Sequence, residues 1–261
     1  MKAPSKKVLQ EQIKKINIAT AVISAVLAIV SATLLAMTNV SLWLSYMARD
    51  LLAPGEKVVL APAFKELFSV EARYLLAGIF VFSAILSVLL FTKLRANYET
   101  TLKAKVSGYK WIFAGLTAAL LFEFVNLLAG ISDLATLKVV GGLVFIASLL
   151  CWLAERENDG AAKKKWLAFI AAILAGIGAW LPLAGSFFGT AIYGMERFTW
   201  GVYALAGTLL ISFILYGLNQ YYYLSGRKGW KEYLFIERNH LAINFATILA
   251  FGLITIAAFY K

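Results

Sequence analysis

Long apolar stretches joined by short charged connectors run the length of this chain, and their lengths name the elements. A helix needs roughly 20 apolar residues to cross about 30 Å of hydrocarbon. Seven runs are free, or nearly free, of Asp, Glu, Lys and Arg: residues 16–48, 74–92, 111–132, 139–154, 166–195, 198–226 and 239–260. The pattern predicts one transmembrane helix per run, the fifth stopping at about residue 188, just past Pro182 and Gly185. The connectors are too short for a second folded domain of ~100–150 residues. The predicted fold is therefore an all-α integral membrane protein, one seven-helix bundle over residues 1–261.

Charge supports the short fourth span. Cytoplasmic loops carry excess Lys and Arg, and with all seven runs crossing and the N-terminus inside, 18 of the 25 basic residues fall on the inner face. Deleting the fourth span would move Lys163, Lys164 and Lys165 outside. Tryptophans fit the same frame, with Trp43, Trp180 and Trp200 at outer ends and Trp111, Trp152 and Trp166 at inner ends. The expected placement is a multi-pass protein of the cell membrane, N-terminus cytoplasmic and C-terminus extracellular. The basic first 15 residues precede a long apolar run with no A-x-A-like cleavage site, so they read as the lead into a retained helix. In the outer loop 49–73, Pro54-Gly55 beside Lys57-Val58-Val59-Leu60 suits either a hairpin or an irregular connector.

Composition narrows the function classes. The chain is 61% hydrophobic and 15% charged, with a mean hydropathy of +0.78; soluble domains hold about 45–50% and about 25%. The net charge of +11 reads as topology rather than as a nucleic-acid surface, because no basic soluble module carries it. One Cys151 and one His240 exclude an intrachain disulfide and a zinc site of N and S ligands, and no metal site is expected. No Ser-His-acid set and no P-loop occur, so enzyme activity is not expected.

Polar groups inside spans are costly and default to functional candidates. Glu123 is the one carboxylate within a run, with Asn126 at i+3 on the same face. A proton- or cation-binding site is one reading; a neutral glutamate bonded across helices is the simpler one, since a relay needs a second titrating group. Glu237 and His240 open the last helix at its inner end, where a solvated or backbone-bonded imidazole is expected. Asn244 lies deeper and needs a partner.

Two strings carry a family resemblance over nearly the whole chain. Lys110-Trp111-Ile112, with the later Gly130-Ile131-Ser132-Asp133, resembles the third helix of the heliorhodopsins, and Gly229-Trp230-Lys231-Glu232-Tyr233-Leu234-Phe235-Ile236-Glu237-Arg238 resembles the stretch ahead of their retinal-bearing helix. The resemblance implies a rhodopsin-like bundle with inverted topology, a homodimer and an outer hairpin. It also implies a retinal Schiff base on a helix-seven lysine one turn after a serine, a glutamate counterion two residues after the helix-three tryptophan, and histidines in helices one and two. Those positions fall here on Ile248, Asn244, Phe113, Ser24 and Ser87. The last helix holds no lysine between Lys231 and Lys261. Loss of the cation and loss of the counterion agree, because a buried charge without its partner costs several kcal/mol.

The expected function is a heliorhodopsin-like membrane protein with no covalent retinal and no other cofactor. It would act by binding membrane lipid, an isoprenoid or a protein partner, as a homodimer through loop 49–73. Two alternatives stand beside it: a proton or small-cation transporter using Glu123, and a structural subunit of a membrane complex.

Overall fold

The computed structural model describes residues 5–49, 60–105, 107–161, 163–195, 197–227, 230 and 232–260. Seven helices in it are long and apolar enough to cross a membrane. They are α1 (Lys6–Leu34), α2 (Ala72–Phe91), α4 (Tyr109–Leu128), α5 (Leu134–Asn158), α6 (Leu167–Tyr193), α7 (Trp200–Leu224) and α8 (Tyr233–Phe259). A short α3 (Arg95–Lys103) and two strands, β1 (Asn39–Arg49) and β2 (Leu60–Glu71), complete the order. The protein is a multi-pass membrane protein.

Several boundaries differ from expectation, each for a physical reason. The run 16–48 is not one helix. Its helix starts ten residues earlier, at Lys6, because Ser5 caps it by accepting from Val8 N, and Leu9 and Ile13 bury one face of the charged first turns. It ends at Leu34, where Ala36 N donates to Phe259 O, and the apolar residues after it become β1. A search for uncharged runs sees neither change, since it cannot distinguish an apolar strand from an apolar helix.

The fourth span covers Leu134–Asn158 rather than 139–154: Asp133 caps it and Lys138, Glu155 and Arg156 stay helical. The fifth continues to Tyr193 rather than 188, passing through Pro182 without breaking, as transmembrane helices allow. The third stops at Leu128, not 132, because Gly130 takes a left-handed φ of 81° and Ile131 N turns back to Asn126 O. The last begins at Tyr233 rather than 239. The connector after α2 holds α3, whose Tyr98 and Leu102 pack on Leu9 and Ile13.

The spans form a ring in which α1 packs on α2 and α8, α2 on α4, α4 on α5, α5 on α6 and α7 on α8. The backbones of α6 and α7 stand apart, and aromatic side chains bridge them: Phe187 to Tyr203 at 4.9 Å and Trp166 to Tyr221 at 5.7 Å between ring centres. A core of Leu27, Phe80, Phe124, Val125, Leu205 and Phe251 fills the half of the bundle nearer the hairpin.

The connector between α1 and α2 is a hairpin, the first of the two forms its sequence allowed, and it is longer than the stretch 49–73. β1 and β2 pair antiparallel from Asn39↔Glu71 to Arg49↔Leu60, with a bulge at Leu42/Trp43; the turn with Pro54-Gly55 lies outside the described residues. The hairpin is tied down at the α4–α5 connection. Trp43 N donates to Ser132 O at 2.9 Å, and the Ser45 hydroxyl donates to Asp133 Oδ1 at 2.6 Å. Asp133 Oδ2 meanwhile accepts from Thr136 N and Oγ1, both at 2.8 Å. One carboxylate thus caps a transmembrane helix and holds a hairpin.

The Ser45 bond, then those from Thr136, hold the Asp133 carboxyl below its usual range. A folded value below the unfolded one, about 3.9, means the stabilisation is complete above about pH 4 and is lost as pH falls through the folded value. Asp133→Ala is expected to lower stability by about 1–2 kcal/mol, a helix cap's contribution. In detergent, the unfolding midpoint of the wild type should fall further between pH 7 and pH 3 than that of Asp133→Asn. Equal slopes would show that Asp133 carries no such linkage.

Candidate functional site

Between α4, α5, α6, α7 and α8 lies an apolar chamber of about 390 Å³, within the ~300–1,000 Å³ of small-molecule sites. Small residues make the room: Ala114, Gly115, Ala118, Ala147, Ala172 and Gly176 all line it. Trp180 stacks edge-on against Phe122, ring centres 4.7 Å apart, at the end nearer the hairpin. The other end is closed by Trp111, His240 and Tyr216, with His240 4.4 Å from the Trp111 ring and 4.6 Å from the Tyr216 ring.

Most polar groups on the wall are already satisfied. The Ser148 hydroxyl donates to Trp111 O, Ser212 and Thr247 share a 2.7 Å bond and reach their own helix carbonyls, and Tyr216 donates to Asn244 Oδ1 at 3.5 Å. On the α6–α7 side the lining includes Ile173, Ile214, Leu218 and Tyr221, each also exposed on the outer surface. The chamber therefore reaches the bilayer through that seam.

Past the closed end, on the side away from the hairpin, lies an ion cluster. Lys110 Nζ sits 2.8 Å from Glu155 Oε1 and 3.2 Å from Glu237 Oε2, and all three side chains are fully buried. Tyr98 donates to Glu237 Oε1 at 2.7 Å, Lys110 donates to the Tyr233 hydroxyl at 3.2 Å, and that hydroxyl donates to Glu155 Oε2 at 3.3 Å. Burial first, and the Glu237 charge second, hold the Tyr98 hydroxyl well above its usual range, so it stays a donor. Each ion comes from a different span, so the cluster fastens α4, α5 and α8 together and draws α3 onto them.

The sequence-derived candidates are distributed unevenly. Asn244 lines both the chamber and a small polar cavity of about 20 Å³, room for about one water, between α1, α2, α4 and α8. Phe113 and Ser87 line only the small cavity. Ser24 is buried beside it and donates to Ser83 at 3.3 Å. Ile248 lines neither cavity; it is packed in the core with Phe124 and Phe251.

Glu123 and Asn126 do not form one site. Asn126 is buried and bonds its own helix at Phe122 O, while Glu123 sits over Gly141 of α5 and pairs with the exposed Lys138 at 2.6 Å. At 100° per residue, i and i+3 point about 60° apart, so the two share a broad face yet Asn126 turns to the core and Glu123 to the α4–α5 edge. Nor is Glu123 the sole carboxylate inside the bundle, for Glu155 and Glu237 are more deeply buried. His240 is not solvated: it is 1% exposed, with the Trp111 and Tyr216 rings packed against it.

A family model for heliorhodopsins matches residues 13–254. The chain belongs to the heliorhodopsin family. Comparison with curated proteins returned no match. In this heliorhodopsin the residues do not fit a covalently bound retinal. No lysine lines the chamber among the described residues, α8 contains none, and the core packing of Ile248 leaves no amine facing the space. The buried amine that does exist, Lys110, is held by two carboxylates.

Sequence reasoning missed that cluster because it assigned Lys110 and Arg156 alike to the inner surface and ended the fourth run before Glu155. The available signal was spacing: Glu155 lies four residues after Cys151, one helical turn, and Glu237 three before His240. Lys110→Met leaves two buried carboxylates without their cation and is expected to destabilise the protein by about 3–5 kcal/mol. Adding Glu155→Gln and Glu237→Gln should recover much of the thermal midpoint in detergent. A single variant as stable as wild type would show the cluster does not hold the helices.

Proposed function

We propose that this heliorhodopsin binds an apolar molecule, a lipid or an isoprenoid, non-covalently in the α4–α8 chamber and acts as a sensory or regulatory membrane protein. The observation that carries this reading is a chamber of about 390 Å³ that is apolar, free of lysine among the described residues, and open toward the bilayer between α6 and α7. Phe113 at the counterion position and Ile248 at the lysine position leave no ion pair for a Schiff base, although neither lines the chamber. A non-enzymatic role is supported by the wall's serines, whose hydroxyls are occupied by backbone carbonyls or Thr247. The transport alternative has less support, because Glu123 is paired with an exposed lysine at the bundle edge.

Mass spectrometry of organic extracts from purified protein should recover an apolar compound at near-stoichiometric amount. All-trans-retinal followed by borohydride should leave no reduced adduct. A visible band together with such an adduct would overturn the reading.

We infer further that the hairpin is a contact between two copies in the cell membrane, with the N-terminus cytoplasmic and the C-terminus extracellular. Tyr46, Met47, Phe64 and Phe68 are exposed on β1 and β2, and clustered exposed apolar side chains mark contact surfaces. The basic residues Arg95, Lys103, Lys105, Arg156 and Arg227 gather at the end opposite the hairpin, which supports the orientation. Size measurement in mild detergent should give a dimer that Phe64→Glu with Phe68→Glu converts to monomer; a monomeric wild type would end the idea. Tags on the two termini should read from opposite sides of intact cells.

A further inference from the structure

We propose that the buried cluster of Lys110, Glu155 and Glu237 is a proton-binding site that holds one exchangeable proton, seated on Glu155. All three side chains are fully buried, so with every group ionised the cluster sets one cation against two anions. The titratable groups facing it are Tyr98 from α3, Cys151 from α5, Tyr223 from α7, and Tyr233 and His240 from α8. None is a lysine or arginine. His240 backs onto Lys110, whose charge opposes a second cation there, and Asp159, one turn past Glu155, faces Tyr223 and adds to the negative side. A carboxyl in an apolar interior with no cation of its own keeps its proton rather than its charge.

Hydrogen bonding marks the atoms between which that proton belongs. Glu237 Oε1 accepts from Tyr98 at 2.7 Å and from the Ser107 hydroxyl at 3.5 Å, and Glu155 Oε2 lies 3.3 Å from the Tyr233 hydroxyl. Those are the outer oxygens of the pair. The inner ones, Glu155 Oε1 and Glu237 Oε2, are buried and both turn to Lys110 Nζ, at 2.8 Å and 3.2 Å, yet no hydrogen bond reaches either among the described residues. A proton carried on one of them satisfies both the charge and the missing donor.

The helices decide which carboxyl carries it. Glu155 lies in the last turn of α5, where backbone carbonyls oppose a negative charge, whereas Glu237 lies near the start of α8, where backbone amides favour one. Glu237 also has two hydroxyl donors. The Trp111 indole faces Glu155, and a protonated carboxyl still has an oxygen to accept from it. When the proton leaves for bulk water, α4, α5 and α8 are held around an unbalanced anion, so the fastening weakens as pH rises. Cys151 and His240 connect that change to the chamber wall.

Infrared spectroscopy of the full-length protein in an alkyl maltoside, a detergent without carbonyl groups, tests the site. At pH 7 the wild type should show a carboxylic-acid carbonyl band that shifts in deuterated buffer. Glu155→Gln and Glu237→Gln should each lose it, because either leaves one carboxylate for one ammonium. Tyr233→Phe should move the wild-type band and Tyr98→Phe should not.

Thermal midpoints give a second readout. Above about pH 5 the folded chain binds a proton that the unfolded chain has lost, so stability falls as pH rises. Between pH 6 and pH 8 the wild-type midpoint should therefore fall further than that of either Gln variant, groups common to all three cancelling. Should one Gln variant fail to fold, the other and the two Tyr variants decide. No acid band in the wild type, a band that survives in a Gln variant, or equal pH slopes would overturn the site. A band that moves in Tyr98→Phe and not in Tyr233→Phe would overturn Glu155 as its seat.

Discussion

One ammonium between two carboxylates, sealed from water, is the constraint on which the rest of this bundle depends. Lys110, Glu155 and Glu237 have no solvent to fall back on, so their mutual geometry must be kept by the helices that carry them. That fixes the rotation of α4, α5 and α8 at one end. Rotation there determines which residues the same helices present one turn further along: Ala114, Cys151 and His240, all on the chamber wall. Polar fastening at one end and apolar packing of Leu27, Phe124 and Phe251 at the other leave the middle free to be built from alanine and glycine.

The number and order of spans were legible because crossing a bilayer demands apolar length, and length survives in the amino-acid string. Family membership was legible too, through the Lys110-Trp111 and Gly229–Arg238 strings. Element ends were harder. Residues 39–48 are as apolar as any helix, and only their pairing with residues 60–71 makes them a strand. Likewise Lys6 to Lys15 look like a polar leader, and only tertiary partners for Leu9 and Ile13 reveal them as helix.

The site was legible in outline but not in its centre. Hydropathy treats every charge near a span end as solvated, so it counted Lys110 with the inner-face charges, stopped the fourth run short of Glu155, left Glu237 at the inner end of the last helix and gave Glu123 an importance that the exposed Lys138 removes. Burial of an ion is decided by whether another element supplies its opposite, and for Lys110 those opposites lie 45 and 127 positions away in the chain. No local window contains that information. For His240, proximity to a helix start suggested water or a backbone partner, and Trp111 and Tyr216 from two other helices close over it and exclude the water.

The gap between the backbones of α6 and α7 has a consequence for how any occupant would be counted. Side chains such as Ile214 and Leu218 belong at once to the cavity wall and to the lipid-facing surface. A molecule arriving there travels within the leaflet, in two dimensions, and never passes through the aqueous phase. Occupancy then follows the mole fraction of that molecule among lipids rather than its molarity in the surrounding medium. Bilayer composition, and not dose in solution, would then set how full the chamber is.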